Sequence, residues 1–110
     1  MTKVAILLAS YNGQKYIEKQ INSIISQKDV ELQLFISDDK STDNTLEIIK
    51  SYCKQYENIE FINCDRKGGP GKNFSYLLGS NINFKNFDYI ALSDQDDIWP
   101  DYRLSRAIDE

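Results

Sequence analysis

Residues 4–13 read VAILLASYNG, and the fold turns on how that stretch is read. Residues 4–9 are continuously apolar. A run this short and this uniform matches a strand covered on both faces, as strands of parallel sheets are. Asn12-Gly13 ends it as a turn. Ile17, Ile21 and Ile24 then follow at helical spacing, and Ile25 widens the stripe. The stretch therefore opens a strand–turn–helix unit.

The same alternation continues along the chain. Residues 32–36 read as a second strand, closed by Ser37-Asp38-Asp39. Ser41 or Thr42 is the expected N-cap of a second helix, with Asp43 and Glu47 in its first turns. Leu46, Ile49, Cys53 and Tyr56 mark one face of that helix. Residues 59–63 read as a third strand, and 66–71 as a basic, glycine-rich loop. Phe74, Leu77 and Leu78 suggest a third helix, residues 89–92 a fourth strand, and residues 104–108 the start of a fourth helix. This order predicts an α/β fold: a Rossmann-like, mainly parallel sheet with right-handed crossovers and helices on both faces. Ligands of such sheets bind at the carboxyl ends of the strands, near the point where strand order reverses. Ser10-Tyr11-Asn12, Asp38-Asp39 and Asp94-Gln95-Asp96 all follow strands and are expected on one edge.

A chain of 110 residues makes one small domain, with roughly two thirds of its surface buried on folding. Its 41% apolar content is globular rather than disordered. The net charge of -4 argues against a nucleic-acid binder that neutralises phosphates with a basic face. There is no histidine, so a histidine-assisted nucleophile is not encoded. Cys53 and Cys64 match no metal spacing and read as reduced core residues of a cytoplasmic protein. The first residues lack the pattern of a secretory signal, and no run is long enough to span a membrane. Without a secretory route the sequon Asn73-Phe74-Ser75 carries no meaning. The chain stops at Glu110 just as a helix begins, so residues 1–110 are expected to be the N-terminal part of a longer protein.

Four features carry chemistry. Asp94 and Asp96, one residue apart after a buried strand, can approach one hard cation from a turn. A solvated acidic turn is the competing reading, and Ile98-Trp99 weighs against it by pinning the turn to a core. Asp38-Asp39 can supply a carboxylate to a ribose hydroxyl or a base N–H, or a helix cap, and two aspartates can divide these roles. Residues 66–72 resemble a phosphate loop but lack both the first glycine and the Ser/Thr of a Walker A motif. What survives is a set of cations and a helix N-terminus that can face an anion, with a flexible surface loop as the equal competing reading. Tyr11 can stack on a nucleobase or pack on the first helix.

Taken in order, VAILLASYNG, ISDDKSTDNT, GPGKNF and ALSDQDDIW resemble the N-terminal nucleotide-sugar-binding half of family 2 glycosyltransferases of the GT-A fold. The SDQDDIW form is similar to that of bacterial rhamnosyltransferases and related builders of surface polysaccharides. The resemblance covers nearly the whole chain and implies roles by position. Tyr11 stacks on the base, and Ala9 adds backbone contacts. One of Asp38 and Asp39, with Asp39 favoured, holds the uracil or thymine N–H. Lys72, before Asn73, lies near the nucleotide. Asp94 lies toward the ribose, Asp96 binds Mg²⁺ or Mn²⁺ through the diphosphate, and Asp97 is an outer acid. The resemblance implies an inverting enzyme using a UDP- or dTDP-sugar and a glycan or lipid-linked acceptor. Its catalytic base is expected past Glu110, so no residue of this chain is assigned that role. It also implies work at the cytoplasmic face of a membrane, by peripheral association of the full-length protein.

Two other classes remain open on sequence. One is a nucleotide-binding module without catalysis. The other is a Mg²⁺-dependent phosphoryl-transfer or receiver-type domain. Those domains place their acids after the first strand, where this chain has Ser10-Tyr11-Asn12.

Overall fold

The computed structural model describes residues 2–38, 40–62, 84–93 and 98–109. β1 (Lys3–Ser10), β2 (Glu31–Asp38), β3 (Ile59–Ile62) and β4 (Tyr89–Ser93) form one sheet in the order β3-β2-β1-β4. Every neighbouring pair is parallel. α1 (Ile17–Ile25) joins β1 to β2, and α2 (Thr45–Gln55) joins β2 to β3. A short 3-10 turn (Phe84–Asn86) precedes β4, and α3 (Arg103–Asp109) follows it. The α/β class and parallel sheet expected from the sequence are the ones observed.

β1 is central, with Ile6 beside Leu34 on one flank and Ala91 on the other. Val4, Ile6 and Leu8 face a core shared with Ile17, Ile21 and Ile24 of α1, Ile49 of α2, and Trp99 and Leu104. Ala5 and Leu7 face the other way, against Phe35, with Ile62, Phe84 and Phe87 packed around them. Phe87 meets Phe35 edge-on at 6.1 Å, a favoured aromatic geometry. Burial on both faces is why residues 4–9 show no polar alternation.

The described α-helices all contribute to one face. Right-handed crossovers that step in one direction along a sheet put their helices on the same side. β1 to β2 to β3 steps in one direction, and β3 to β4 returns across β1. Phe84 and Phe87, the described residues just before β4, pack on the opposite face. The third helix expected near Phe74, Leu77 and Leu78, the loop 66–72, Asn63 and Cys64 lie outside the described residues.

Several local expectations need correction. α2 begins at Thr45, later than the predicted cap at Ser41 or Thr42. Those two residues are drawn into contacts with the loop after β1. Ile49 is the buried centre of α2, flanked by Ile48, Tyr52 and Cys53. Tyr56 lies past the helix end, exposed, and stacks on Tyr52 at 5.9 Å. Cys53 is a free thiol whose pKa is raised by burial. Tyr89, Ile90 and Leu92 are half-exposed rather than covered, because β4 is the outermost described strand and pairs there with β1 alone. Trp99 is buried in the main core, whereas its neighbour Ile98 is exposed.

Candidate functional site

The strand order reverses between β1 and β4, which is where a ligand of an open α/β sheet binds. The register pairs Ser10 with Asp38 and Leu8 with Ser93, so β1, β2 and β4 end on one edge. Ala9 is buried near the end of β1, and Tyr11, just past it, is 43% exposed. Asp94 is the next residue in sequence after Ser93, the last of β4. Asp39, Lys72, Asp94, Asp96 and Asp97 lie outside the described residues.

Asp38 is only 4% exposed, and its carboxyl is turned onto the chain itself. Oδ1 accepts hydrogen bonds from the hydroxyls of Ser10, at 2.7 Å, and Ser41, at 2.6 Å. Oδ2 accepts from the backbone N–H of Ser41 at 2.8 Å. A buried carboxyl needs such donors, and here they tie the end of β1 to the loop after β2.

That loop and the loop after β1 are stitched together. The Asn12 N–H donates to the Ser41 hydroxyl at 2.8 Å, and Asn12 Oδ1 accepts from the Thr42 N–H at 2.7 Å. The Gly13 N–H donates to Thr45 Oγ1 at 2.8 Å. The Gln14 N–H donates to Asp43 Oδ2, and Gln14 Oε1 accepts from the Asn44 N–H, both at 3.2 Å. Asn12 and Lys40 take left-handed φ values of 47° and 52°. Asparagine tolerates this conformation; at lysine it costs about 1 kcal/mol, offset by the bonds on Ser41 beside it. Sequence reading placed Ser10-Tyr11-Asn12 on this edge and read Ser41 as a helix cap, without pairing the two loops. These bonds join residues about thirty positions apart, beyond the reach of any local pattern.

Asp43 Oδ1 accepts from the Thr45 N–H at 3.0 Å and from the Thr45 hydroxyl. The hydroxyl bond is the main reason the carboxyl sits below its ordinary value of 3.8, with backbone N–H groups of Thr45 and Gln14 adding to it. A depressed folded-state value means the unfolded chain binds the proton first. The stabilisation is therefore complete above 3.8 and lost as pH falls through the lower folded value. Wild type should lose stability more steeply than Asp43→Asn as pH falls from about 5 to about 2.5. Urea midpoints across that range check this, and equal slopes would show that Asp43 does not contribute.

Amide and hydroxyl side chains of α1 and of Gln27, just past its end, hold the chain on either side of residues 94–97. Gln20 is fully buried, and its Nε2 donates to Ser93 Oγ at 3.0 Å. Ser23 Oγ donates to the Gln20 carbonyl and accepts from the Trp99 N–H at 3.0 Å. Gln27 Nε2 donates to the Pro100 carbonyl at 2.7 Å, and its Oε1 accepts from the Leu104 N–H at 3.0 Å. The Arg103 guanidinium lies 4.3 Å from the Trp99 ring centroid, a cation–π contact. Sequence reading saw α1 as an apolar stripe and missed these residues. Their spacing, at 20, 23 and 27, is itself helical and was the available signal.

Among the described residues no group of three His, Cys, Asp or Glu side chains gathers to hold a metal. Asp38, the described acid at this edge, has both oxygens engaged by Ser10 and Ser41. A metal here would depend on Asp94 and Asp96, one and three residues beyond Ser93. Their oxygen donors suit a hard divalent cation such as Mg²⁺ or Mn²⁺.

The chain is 49% identical over 104 residues to a dTDP-rhamnosyl transferase, RfbG, of Shigella flexneri, covering 93% of this chain and 36% of that protein. It superposes on the S. aureus TarS fragment 1–349 in complex with UDP with a TM-score of 0.77 at 28% identity, covering 98% of this chain and 31% of that one. A mannosyltransferase from Pyrobaculum calidifontis, in complex with GDP-Man and Mn²⁺, shares the fold with a TM-score of 0.74 at 19% identity, over 88% of this chain and 28% of that one. The chain thus spans about a third of the length of its relatives. The family model for glycosyl transferase family 2 matches residues 5–110, and the chain belongs to that family.

Proposed function

We propose that residues 1–110 are the donor-binding part of an inverting glycosyltransferase. It transfers a sugar from a UDP- or dTDP-sugar to a glycan or lipid-linked acceptor in surface polysaccharide synthesis. The observation that carries this reading is the shared carboxyl edge at the strand-order reversal, with Tyr11 exposed beside the Asp38 anchor. Similarity to a dTDP-rhamnosyl transferase and to a UDP-bound structure supports the donor class.

In this reading Tyr11 stacks on the pyrimidine and the Ala9 backbone contacts it. Asp39 accepts the uracil or thymine N–H, while Asp38 holds the loop that presents Asp39. Lys72 sits near the nucleotide, Asp94 lies toward the ribose, and Asp96 holds Mg²⁺ or Mn²⁺, with Asp97 outside it. When bound, the cation supplies charge neutralisation at the departing diphosphate. The bond from the sugar's anomeric carbon to the diphosphate oxygen breaks, and the acceptor oxygen bonds to that carbon from the opposite face. The acceptor proton passes to a carboxylate base on a later segment of the full-length protein. The reading puts the enzyme in the cytoplasm, at the membrane face where lipid-linked acceptors are reached.

Titrating UDP and dTDP into the full-length protein, with and without Mn²⁺, tests it. Mn²⁺ should tighten binding of at least one nucleotide by at least about tenfold, or 1.4 kcal/mol. A folded protein that binds neither, or binds both equally without metal, overturns the donor-site assignment.

A further inference from the structure

α1 carries two kinds of side chain on its inward surface. Ile17, Ile21 and Ile24 fill the core, as the sequence predicts. Gln20, Ser23 and Gln27 do something else. They take hydrogen bonds to Ser93 on one side of residues 94–97, and to Trp99, Pro100 and Leu104 on the other. The Lys28 N–H, just beyond, donates to the Asp101 carbonyl at 2.8 Å. α1 and the residues just past it therefore hold the chain on both sides of the acidic stretch.

Core packing alone does not call for this arrangement. A buried glutamine amide is costly unless its hydrogen bonds are made. Each side-chain group used here has its partner either in the backbone or hydroxyl flanking residues 94–97 or in α1 itself. Carboxylates that share one cation gain from being held in place before the cation arrives, since ordering them on binding costs free energy. Partners that orient metal ligands commonly change affinity by ten- to a hundredfold when removed.

We infer that Gln20 and Ser23 of α1, with Gln27 just past its end, form a positioning stripe that presets the flanks of residues 94–97 and so raises the affinity of the donor site for its divalent cation. These residues touch neither nucleotide nor sugar; they act through the chain they hold. The inference rests on the proposed metal role of Asp94 and Asp96.

The test uses the full-length protein and three variants. Gln20→Met keeps the side-chain length and removes the amide. Ser23→Ala removes the hydroxyl with little change in volume, and Ser23→Thr restores it. The Mn²⁺ concentration needed for half-maximal UDP or dTDP binding should rise about fivefold or more in Gln20→Met and Ser23→Ala, the loss of about one hydrogen bond. Nucleotide affinity without metal should stay within about twofold, and Ser23→Thr should return the metal requirement to near wild type. Amide exchange across residues 93–104 should quicken in the first two variants and not in the third.

Unchanged exchange in Ser23→Ala overturns the inference, because the stripe then does not hold the segment. Faster exchange with an unchanged Mn²⁺ requirement overturns it too, because the holding then has no effect on the metal. A wild-type protein whose nucleotide binding ignores Mn²⁺ overturns the donor-site reading and, with it, the stripe's effect on metal affinity. The exchange measurement then still decides whether the stripe holds the segment.

Discussion

Asp96→Asn in the full-length protein should lower metal-dependent sugar transfer by at least about a hundredfold, with melting shifted by no more than about 2 °C. The substitution keeps size and one oxygen but removes the negative charge that a hard cation binds. Cation neutralisation of a departing diphosphate supplies several kcal/mol in the transition state, and each 1.36 kcal/mol is about tenfold in rate. Asp96 lies three residues beyond Ser93, the last of β4, and the proposed role requires its charge for the cation rather than for folding. Initial rates against Mn²⁺ concentration, beside a thermal melt, separate the two effects. A variant that unfolds, or one that works normally, would make Asp96 structural or irrelevant.

Asp38→Ala should show the reverse pattern. Asp38 is buried and accepts hydrogen bonds from Ser10 and, twice, from Ser41. Removing it strips three bonds at once from the junction between β1 and the loop after β2. At roughly 1 kcal/mol each the loss is about 3 kcal/mol, within the range for breaking a buried polar network. Melting should fall by roughly 5–10 °C, and urea midpoints should fall with it. Asp38→Asn should fall in between: its oxygen still accepts from the two hydroxyls, but its amide faces the Ser41 N–H as a second donor. Asp39→Ala should leave melting nearly unchanged and weaken nucleotide binding. If Asp38→Ala melts like wild type and loses nucleotide binding, the two aspartates have exchanged roles.

The sequence made some parts of this molecule plain and hid others for physical reasons. β1 was legible because both its faces are buried, which leaves an unbroken apolar run at residues 4–9. α1 was legible through Ile17, Ile21 and Ile24, whose spacing alone specifies an inward face. The start of α2 was not. Ser41 and Thr42 look like caps locally, yet their hydrogen bonds go to Asp38 and Asn12, and Asp43 takes the N–H of Thr45 instead. Gln20 was hidden for the same reason, because its partner Ser93 lies 73 residues away. The half-exposed faces of Ile90 and Leu92 also escaped, since an apolar run does not reveal that its strand is outermost. Of the predicted donor-site residues, the fold brings Ala9, Tyr11 and Asp38 to one edge.

The stitch between the loops after β1 and β2 has a consequence for how the chain finds its native pairing. Ser10 meets Asp38 only if β2 lies against β1 in one particular alignment. A slip of one residue would turn Leu34 and Ile36 to the wrong side of the sheet. It would also carry Asp38 out of reach of Ser10, and Ser41 away from Asn12. The polar bonds thus act as a proofreader for the apolar pairing: a misaligned strand can still collapse, but it cannot close these loops. The edge proposed to receive the nucleotide is completed only on a correctly aligned sheet, so a misfolded copy would present no finished site there.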